Sequence, residues 1–136
     1  MADIHVNYLA ILVVGIFSYL LGALWYSPPL FAKQWMNAIG KTEEDLKDGA
    51  SAMTYVITFV VWVISSYVLA VFIHYSGASS FGYGMLAGFL CWFGFFALLS
   101  LMMSLFEQKP KQLWLINVSY VLVAFLISGG ILAIWR

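Results

Sequence analysis

The sequence predicts an all-α membrane protein, in which four transmembrane helices form an antiparallel bundle with a short interfacial helix between the first two. Four apolar runs are each long enough to cross a bilayer, which takes roughly 20 residues. None of them contains an internal Asp, Glu, Lys or Arg. The composition agrees, because 64% of the residues are hydrophobic and only 9% are charged, whereas about a quarter are charged in a soluble domain.

The four apolar runs belong to one transmembrane domain, which covers residues 1–136. The first predicted helix ends at about residue 26, because Pro28 and Pro29 come after it and proline cannot donate the helical hydrogen bond. The four transmembrane helices are predicted at about residues 8–26, 53–75, 81–106 and 113–135.

The connection after the first helix predicts two further short elements. Phe31, Trp35 and Ile39 recur at four-residue spacing, which is typical of a helix lying in the membrane interface. This helix is predicted at about residues 29–39, and Gly40 is expected to end it. The stretch from Thr42 to Asp45 then resembles a capping box that opens one more turn.

The basic residues predict the orientation of the chain. All but Arg136 lie in two connections, namely Lys33, Lys41, Lys47, Lys109 and Lys111. Short cytoplasmic loops are enriched in Lys and Arg. We therefore expect these two connections in the cytoplasm and both termini outside, in a bacterial cytoplasmic (inner) membrane.

Small residues predict where the helices approach each other. Ser18 and Gly22 form a small-xxx-small pair in the first helix, and Gly84 and Gly88 form a GxxxG pair in the third. Membrane helices associate through such positions because they let backbones come close. The same pattern serves contacts between copies, and a four-helix bundle leaves much flank exposed, so we also expect a homo-oligomer.

A set of polar residues is predicted at the cytoplasmic end of the bundle. It comprises Tyr26, Ser27, Glu107, Asn117 and Tyr120, with Thr54, Thr58 and Ser104 at similar depth. If Asn117 and Tyr120 face inward, they can hydrogen-bond Glu107 and form a pocket for a small ligand or ion. The alternative is that these groups satisfy one another and fix the helix register.

Several classes of function lack support in the sequence. The net charge of zero argues against a nucleic-acid partner, which needs clustered Lys and Arg. Asp3, His5 and His74 are predicted on the outer side, but their spacing carries no metal signature, and we expect neither a metal nor a cofactor. Cys91 is the single cysteine and is interpreted as a packing residue. No nucleophile–base motif or phosphate loop is present, so no enzymatic activity is expected.

Several of these stretches occur together in one known family. They are Asn7–Ala10 (NYLA), the LGALWYSP run, FAKQWM, Phe106-Glu107 and Ile116-Asn117 with Tyr120. The chain thereby resembles an uncharacterised family of small bacterial four-helix membrane proteins, catalogued as a domain of unknown function. The resemblance covers nearly the whole chain and implies the same topology, but no activity and no functional residues. Ser119 stands where the family usually has a glycine.

The sequence supports two hypotheses on function. The first is a non-enzymatic, oligomeric membrane component that binds a partner or lipid through its helix flanks and the segment around Trp35. The second is a small transporter or channel that uses the polar cluster, with Glu107, Asn117 and Tyr120 as the residues to test. Neither identifies the ligand.

Overall fold

A computed structural model describes residues 4–136, and within this range the chain is helical without a strand. The all-α fold is therefore confirmed. The helices are α1 (Tyr8–Trp25), α2 (Ala32–Ile39), α3 (Glu43–Gly49), α4 (Ala52–Ser76), α5 (Phe81–Trp92), α6 (Leu98–Phe106) and α7 (Lys111–Ile134), and a π-helical segment (Phe93–Ala97) joins α5 to α6.

Four of the helical stretches are long and apolar enough to span a membrane, as predicted. They are Tyr8–Trp25, Ala52–Ser76, Phe81–Phe106 and Lys111–Ile134. The interfacial helix α2 begins at Ala32, three residues after its predicted start. Turns occupy the preceding residues, where the Phe31 amide donates to the Trp25 carbonyl and the Ala32 amide to that of Ser27.

Neighbouring spans run antiparallel around α7. Tyr8 of α1 stacks on Tyr67 of α4 while Tyr19 meets Phe59, so the residue order reverses between these two helices. Helix α7 contacts α1, α4 and α5, and its packing against α5 is the most extensive in the bundle. We call the side of the bundle with residue 7 and Trp135 the terminal end, and the opposite side the α2–α3 end.

The terminal half of the bundle is closely packed. Its core comprises residues that are less than a tenth exposed, among them Ala10, Val14, Leu69, Ile73 and Leu132. Gly84 and Gly88 lie against the backbone of α7, where a Cβ atom on Gly88 would come closer than 3.0 Å to the Phe125 carbonyl oxygen. These glycines permit the close approach of α5 and α7, which any side chain would prevent.

The α2–α3 half is open by comparison. In α4 the buried residues lie between Ser66 and Ile73, toward the terminal end, and α6 has no buried residue. The π-helical segment stands where the third span leaves α7, after Trp92 and Ala97 have packed against that helix. A π-turn widens the helix and changes the direction of the next turns. The bundle is thus closed at one end and splayed at the other.

Helices α2 and α3 border this open end. Gly40 ends α2 in the left-handed conformation (φ 70°), which confirms its predicted role. The Thr42 side chain accepts from the Asp45 amide at 3.2 Å, and the Asp45 carboxylate accepts from the Thr42 amide at 3.1 Å. The predicted capping box is therefore present. The hydrogen bond from the Thr42 backbone, together with the smaller effect of its side chain, lowers the pKa of Asp45.

Candidate functional site

A cavity of about 830 Å³ lies at the α2–α3 end, between α1, α3, α4 and α7. It exists because α4 leaves α7 in this half of the bundle. Its walls are rich in aromatic residues, so we call it the aromatic cavity. Its aromatic lining comprises Tyr19, Tyr26, Trp35, Tyr55, Trp62 and Tyr120.

Tyr120 is the fixed centre of this lining. The residue is 9% exposed, and its hydroxyl donates to the Ser18 carbonyl at 2.6 Å. Its ring meets those of Trp62 and Tyr26 edge to face, with centroids 5.5 and 5.7 Å apart. Gly22 provides the space, because a Cβ atom there would lie 2.6 Å from the Tyr120 hydroxyl oxygen. Ser18 and Gly22, the small-xxx-small pair of α1, therefore form the contact surface for Tyr120 of α7.

Tyr26 connects three helices at the edge of the cavity. Its hydroxyl donates to Asn117 Oδ1 of α7 at 2.6 Å. Its ring meets Trp35 of α2 edge to face at 5.3 Å. The neighbouring Trp25 donates from Nε1 to the Ile116 carbonyl at 3.0 Å. These contacts hold the end of α1 and the interfacial helix against the first turns of α7.

The polar groups of the lining include both acceptors and donors, such as the amide of Asn117, whose Oδ1 accepts from Tyr26. The Thr58 hydroxyl donates to the Thr54 carbonyl at 2.8 Å, so its oxygen is left with lone pairs. Asp45 and Lys41, both exposed, contribute one carboxylate and one ammonium to the rim on the α3 side. Their charges offset each other. The cavity thus combines aromatic rings with hydroxyl oxygens and a balanced rim.

A family model with the description "Protein of unknown function (DUF1761)" matches residues 9–133, nearly the whole chain. The chain belongs to the DUF1761 family. The predicted membership in an uncharacterised family is therefore confirmed. Neither the curated proteins nor the solved structures contain a match to this DUF1761 chain. The description of the family names no activity.

Glu107 lies apart from the aromatic cavity of this DUF1761 protein. Its carboxylate pairs with the Lys109 ammonium at 3.0 Å, and the side chain is half exposed. It lines a smaller cavity of about 190 Å³ between α6 and α7, together with Ser104 and Asn117. Asn117 lines both cavities. The structure thus divides the polar residues predicted as one cluster into two groups on either side of α7, with Asn117 common to both.

Further residues that the sequence singled out contact other residues of the helices rather than a cavity. Ser27 lies outside both cavities, and its hydroxyl donates to the Leu24 carbonyl at 2.5 Å. Ser18 is fully buried, with its hydroxyl 3.3 Å from that of Ser128. Gly84 and Gly88 lie at the contact between α5 and α7.

The two histidines lie at the terminal end, where they border a cavity of about 20 Å³ with Arg136. The Arg136 guanidinium donates to the carbonyls of Ala78 and Ala133. A fixed positive charge beside His5 and His74 opposes a bound cation. Asp3, which the sequence predicts on the same side, is outside the described residues. Among residues 4–136, no three His, Cys, Asp or Glu side chains gather to hold a metal.

The sequence analysis did not predict the walls of the aromatic cavity. Tyr26, which caps α1, comes seven residues after Tyr19, and Trp62 comes seven residues after Tyr55 in α4, so each pair lies on one side of its helix. The spacing was readable, but membrane-interface aromatics have the same composition. Only the splay of α4 from α7 turns these faces into the walls of a cavity.

Proposed function

We propose that this protein is a non-enzymatic membrane component that binds a small amphiphilic molecule, such as a lipid, in the aromatic cavity. The observation that carries the proposal is the cavity of about 830 Å³ with aromatic walls and hydroxyl oxygens. Ligand sites are concave, largely apolar and fitted with a few polar groups that orient the ligand. Tyr26, Asn117 and Tyr120 are such groups, held by hydrogen bonds of 2.6 Å.

The proposed placement puts the cavity at the cytoplasmic side of a bacterial cytoplasmic membrane, with both termini outside. It rests on the five lysines in the connections before α4 and at the start of α7, against Arg136 at the terminal end. An amphiphile would then enter from the inner leaflet. Trp35 of α2 would lie at headgroup depth, where its amphipathic ring is favoured.

Native mass spectrometry of the protein released from membranes tests the proposal. We expect a bound lipid or amphiphile on the wild type, and its loss from Ala23→Phe, which fills the cavity from α1. Ala52→Phe is the matched control, because Ala52 is exposed at the start of α4 and does not line the cavity. Equal occupancy in all three proteins, or none in any, would refute ligand binding at this site.

Transport is a second candidate, favoured by the asymmetry of the bundle. The α2–α3 end is splayed, while Ala10, Val14 and Ser18 are fully buried in the closed terminal half. A bundle open on one side is one state of an alternating-access cycle. Flux of a solute and ion panel into proteoliposomes tests it. Flux no higher than in empty vesicles, with no effect of Glu107→Gln, would eliminate transport.

We also propose that copies of the chain associate through the third span. Only 6% of its most apolar 18-residue stretch is buried within the chain, against 44% for the fourth span. Its exposed flank includes Phe95, Leu99 and Met102. Light scattering of the detergent-solubilised protein should give a multiple of the 15.3 kDa chain mass. A monomer at all detergent ratios would contradict association.

A further inference from the structure

We infer that the aromatic cavity selects an organic ammonium, either as a free ion or as the headgroup of a lipid. The inference rests on the proposed function, since it assigns a chemical class to the ligand of that site. It is carried by the juxtaposition of three aromatic side chains, Trp35, Trp62 and Tyr120, with hydroxyls that have already donated their hydrogens.

The rings provide the first argument. Trp62 and Tyr120 line the wall formed by α4 and α7, and Tyr26 and Trp35 line the wall formed by α1 and α2. Centroid distances of 5.3 to 5.7 Å link these four rings into one cluster. An organic cation gains attraction from the negative face of each ring that it approaches within about 6 Å. Tryptophan is the most effective of the three aromatic residues.

Three hydroxyl groups of the lining, those of Tyr26, Thr58 and Tyr120, provide the second argument. Each carries a single hydrogen, and the structure commits it elsewhere: Tyr26 donates to Asn117, Tyr120 to the Ser18 carbonyl and Thr58 to the Thr54 carbonyl. Their oxygens can therefore only accept. These three oxygens offer acceptors to a positive group that an anion could not use, beside the donors that Asn117 and the tryptophan Nε1–H groups also contribute to the lining.

The two charged residues at the rim of the cavity do not change the preference for a positive ligand, because their charges are opposite. The cavity lining contains one ammonium, Lys41, and one carboxylate, Asp45. The Lys41 charge acts on Asp45, so the two lie near enough to offset each other. Both belong to the exposed α3 side rather than to the walls. The sign of the ligand is then decided by the rings and hydroxyls deeper in the cavity.

Three soluble probes of matched size test the inference on the full chain in nanodiscs. They are choline, its uncharged carbon analogue 3,3-dimethylbutanol, and the anion isethionate. We expect isothermal titration to give choline a Kd at least about tenfold lower than either other probe, because a desolvated cation is attracted by the ring faces and the other two are not. Equal or tighter binding of the neutral or anionic probe would overturn the inference, as would binding of none.

Variants separate selectivity from folding. Trp62→Leu should weaken choline binding about tenfold, whereas Trp62→Phe, which keeps an aromatic ring at the same position, should weaken it less. Trp114→Leu is the control, because Trp114 lines the α6–α7 cavity instead. If Trp62→Leu fails to fold, Trp35→Leu in α2 makes the same test. Unchanged choline affinity in the folded Trp35 or Trp62 variant would overturn the inference.

Two lipid compositions distinguish the sources of the ammonium. In phosphatidylcholine nanodiscs a headgroup ligand would compete with added choline, whereas in phosphatidylglycerol nanodiscs it would not. Weaker choline binding in the first supports a lipid headgroup, and equal binding supports a free ion. The proposed function is judged separately, because an amphiphile that Ala23→Phe displaces sustains ligand binding even where choline shows no preference.

Discussion

The contact between α5 and α7 makes a quantitative prediction for Gly88→Ala. The added Cβ would lie less than 3.0 Å from the Phe125 carbonyl oxygen, whereas ordinary van der Waals contact starts at 3.4 Å. The two helices must therefore separate by at least about 0.4 Å, and backbone cannot rotate out of the way as a side chain does. Overpacking of this kind costs about 1–3 kcal/mol.

The assay is reversible unfolding of the purified protein in mixed micelles, with the free energy of unfolding compared among variants. Gly82→Ala is the matched control in the same helix, because nothing lies within 4 Å of the position of its Cβ. Alanine is the better helix former by roughly 0.5–1 kcal/mol, so Gly82→Ala should be neutral or stabilising. The reasoning is refuted if Gly88→Ala is as stable as Gly82→Ala.

Two further predictions concern the α2–α3 end. Gly22→Ala should destabilise the fold by about 1–3 kcal/mol, because its Cβ would lie 2.6 Å from the Tyr120 hydroxyl. Adding Tyr120→Phe should recover part of that loss, and strictly additive free energies in the double-mutant cycle would contradict this contact. Asp45 has a pKa lowered by Thr42, so its contribution to α3 is present above the unfolded pKa and is lost as the pH falls through the folded one. Carbon-detected NMR should show the pKa of Asp45 rising in Thr42→Pro, which removes both the donating backbone N–H and the side-chain hydroxyl, and an unchanged value would exclude the capping box as its cause.

The bounds of the four long apolar helices could be predicted from the sequence, because they depend only on the residues within each run. An apolar run of about 20 residues has few other uses, and the bounds of the spans differ from the prediction by two residues at most. Gly40 and the Thr42–Asp45 box were equally readable, since caps depend on neighbours in the sequence. Even the family membership could be predicted from motifs along the chain.

The cavity could not be read in this way, because it depends on how far the helices diverge. Glu107 and Asn117 were predicted together and do line one cavity, between α6 and α7, but Tyr26 and Tyr120 line another one on the α1 and α4 side of α7. The π-helical segment leaves no local signature in the apolar residues 93–97. Trp62 was overlooked because its wall position exists only once α4 splays from α7.

The bundle is open at the α2–α3 end and closed at the terminal end, and water should reach only the open half. Cysteine accessibility tests this most directly, with Thr58→Cys in the cavity and Ser128→Cys in the closed half, both in a Cys91→Ala background. A membrane-impermeant thiol reagent should label Thr58→Cys from one side of the membrane alone, which is the cytoplasmic side under the proposed orientation, and should not label Ser128→Cys from either side. Labelling of Ser128→Cys, or labelling of Thr58→Cys from both sides or from neither, would contradict an asymmetric bundle.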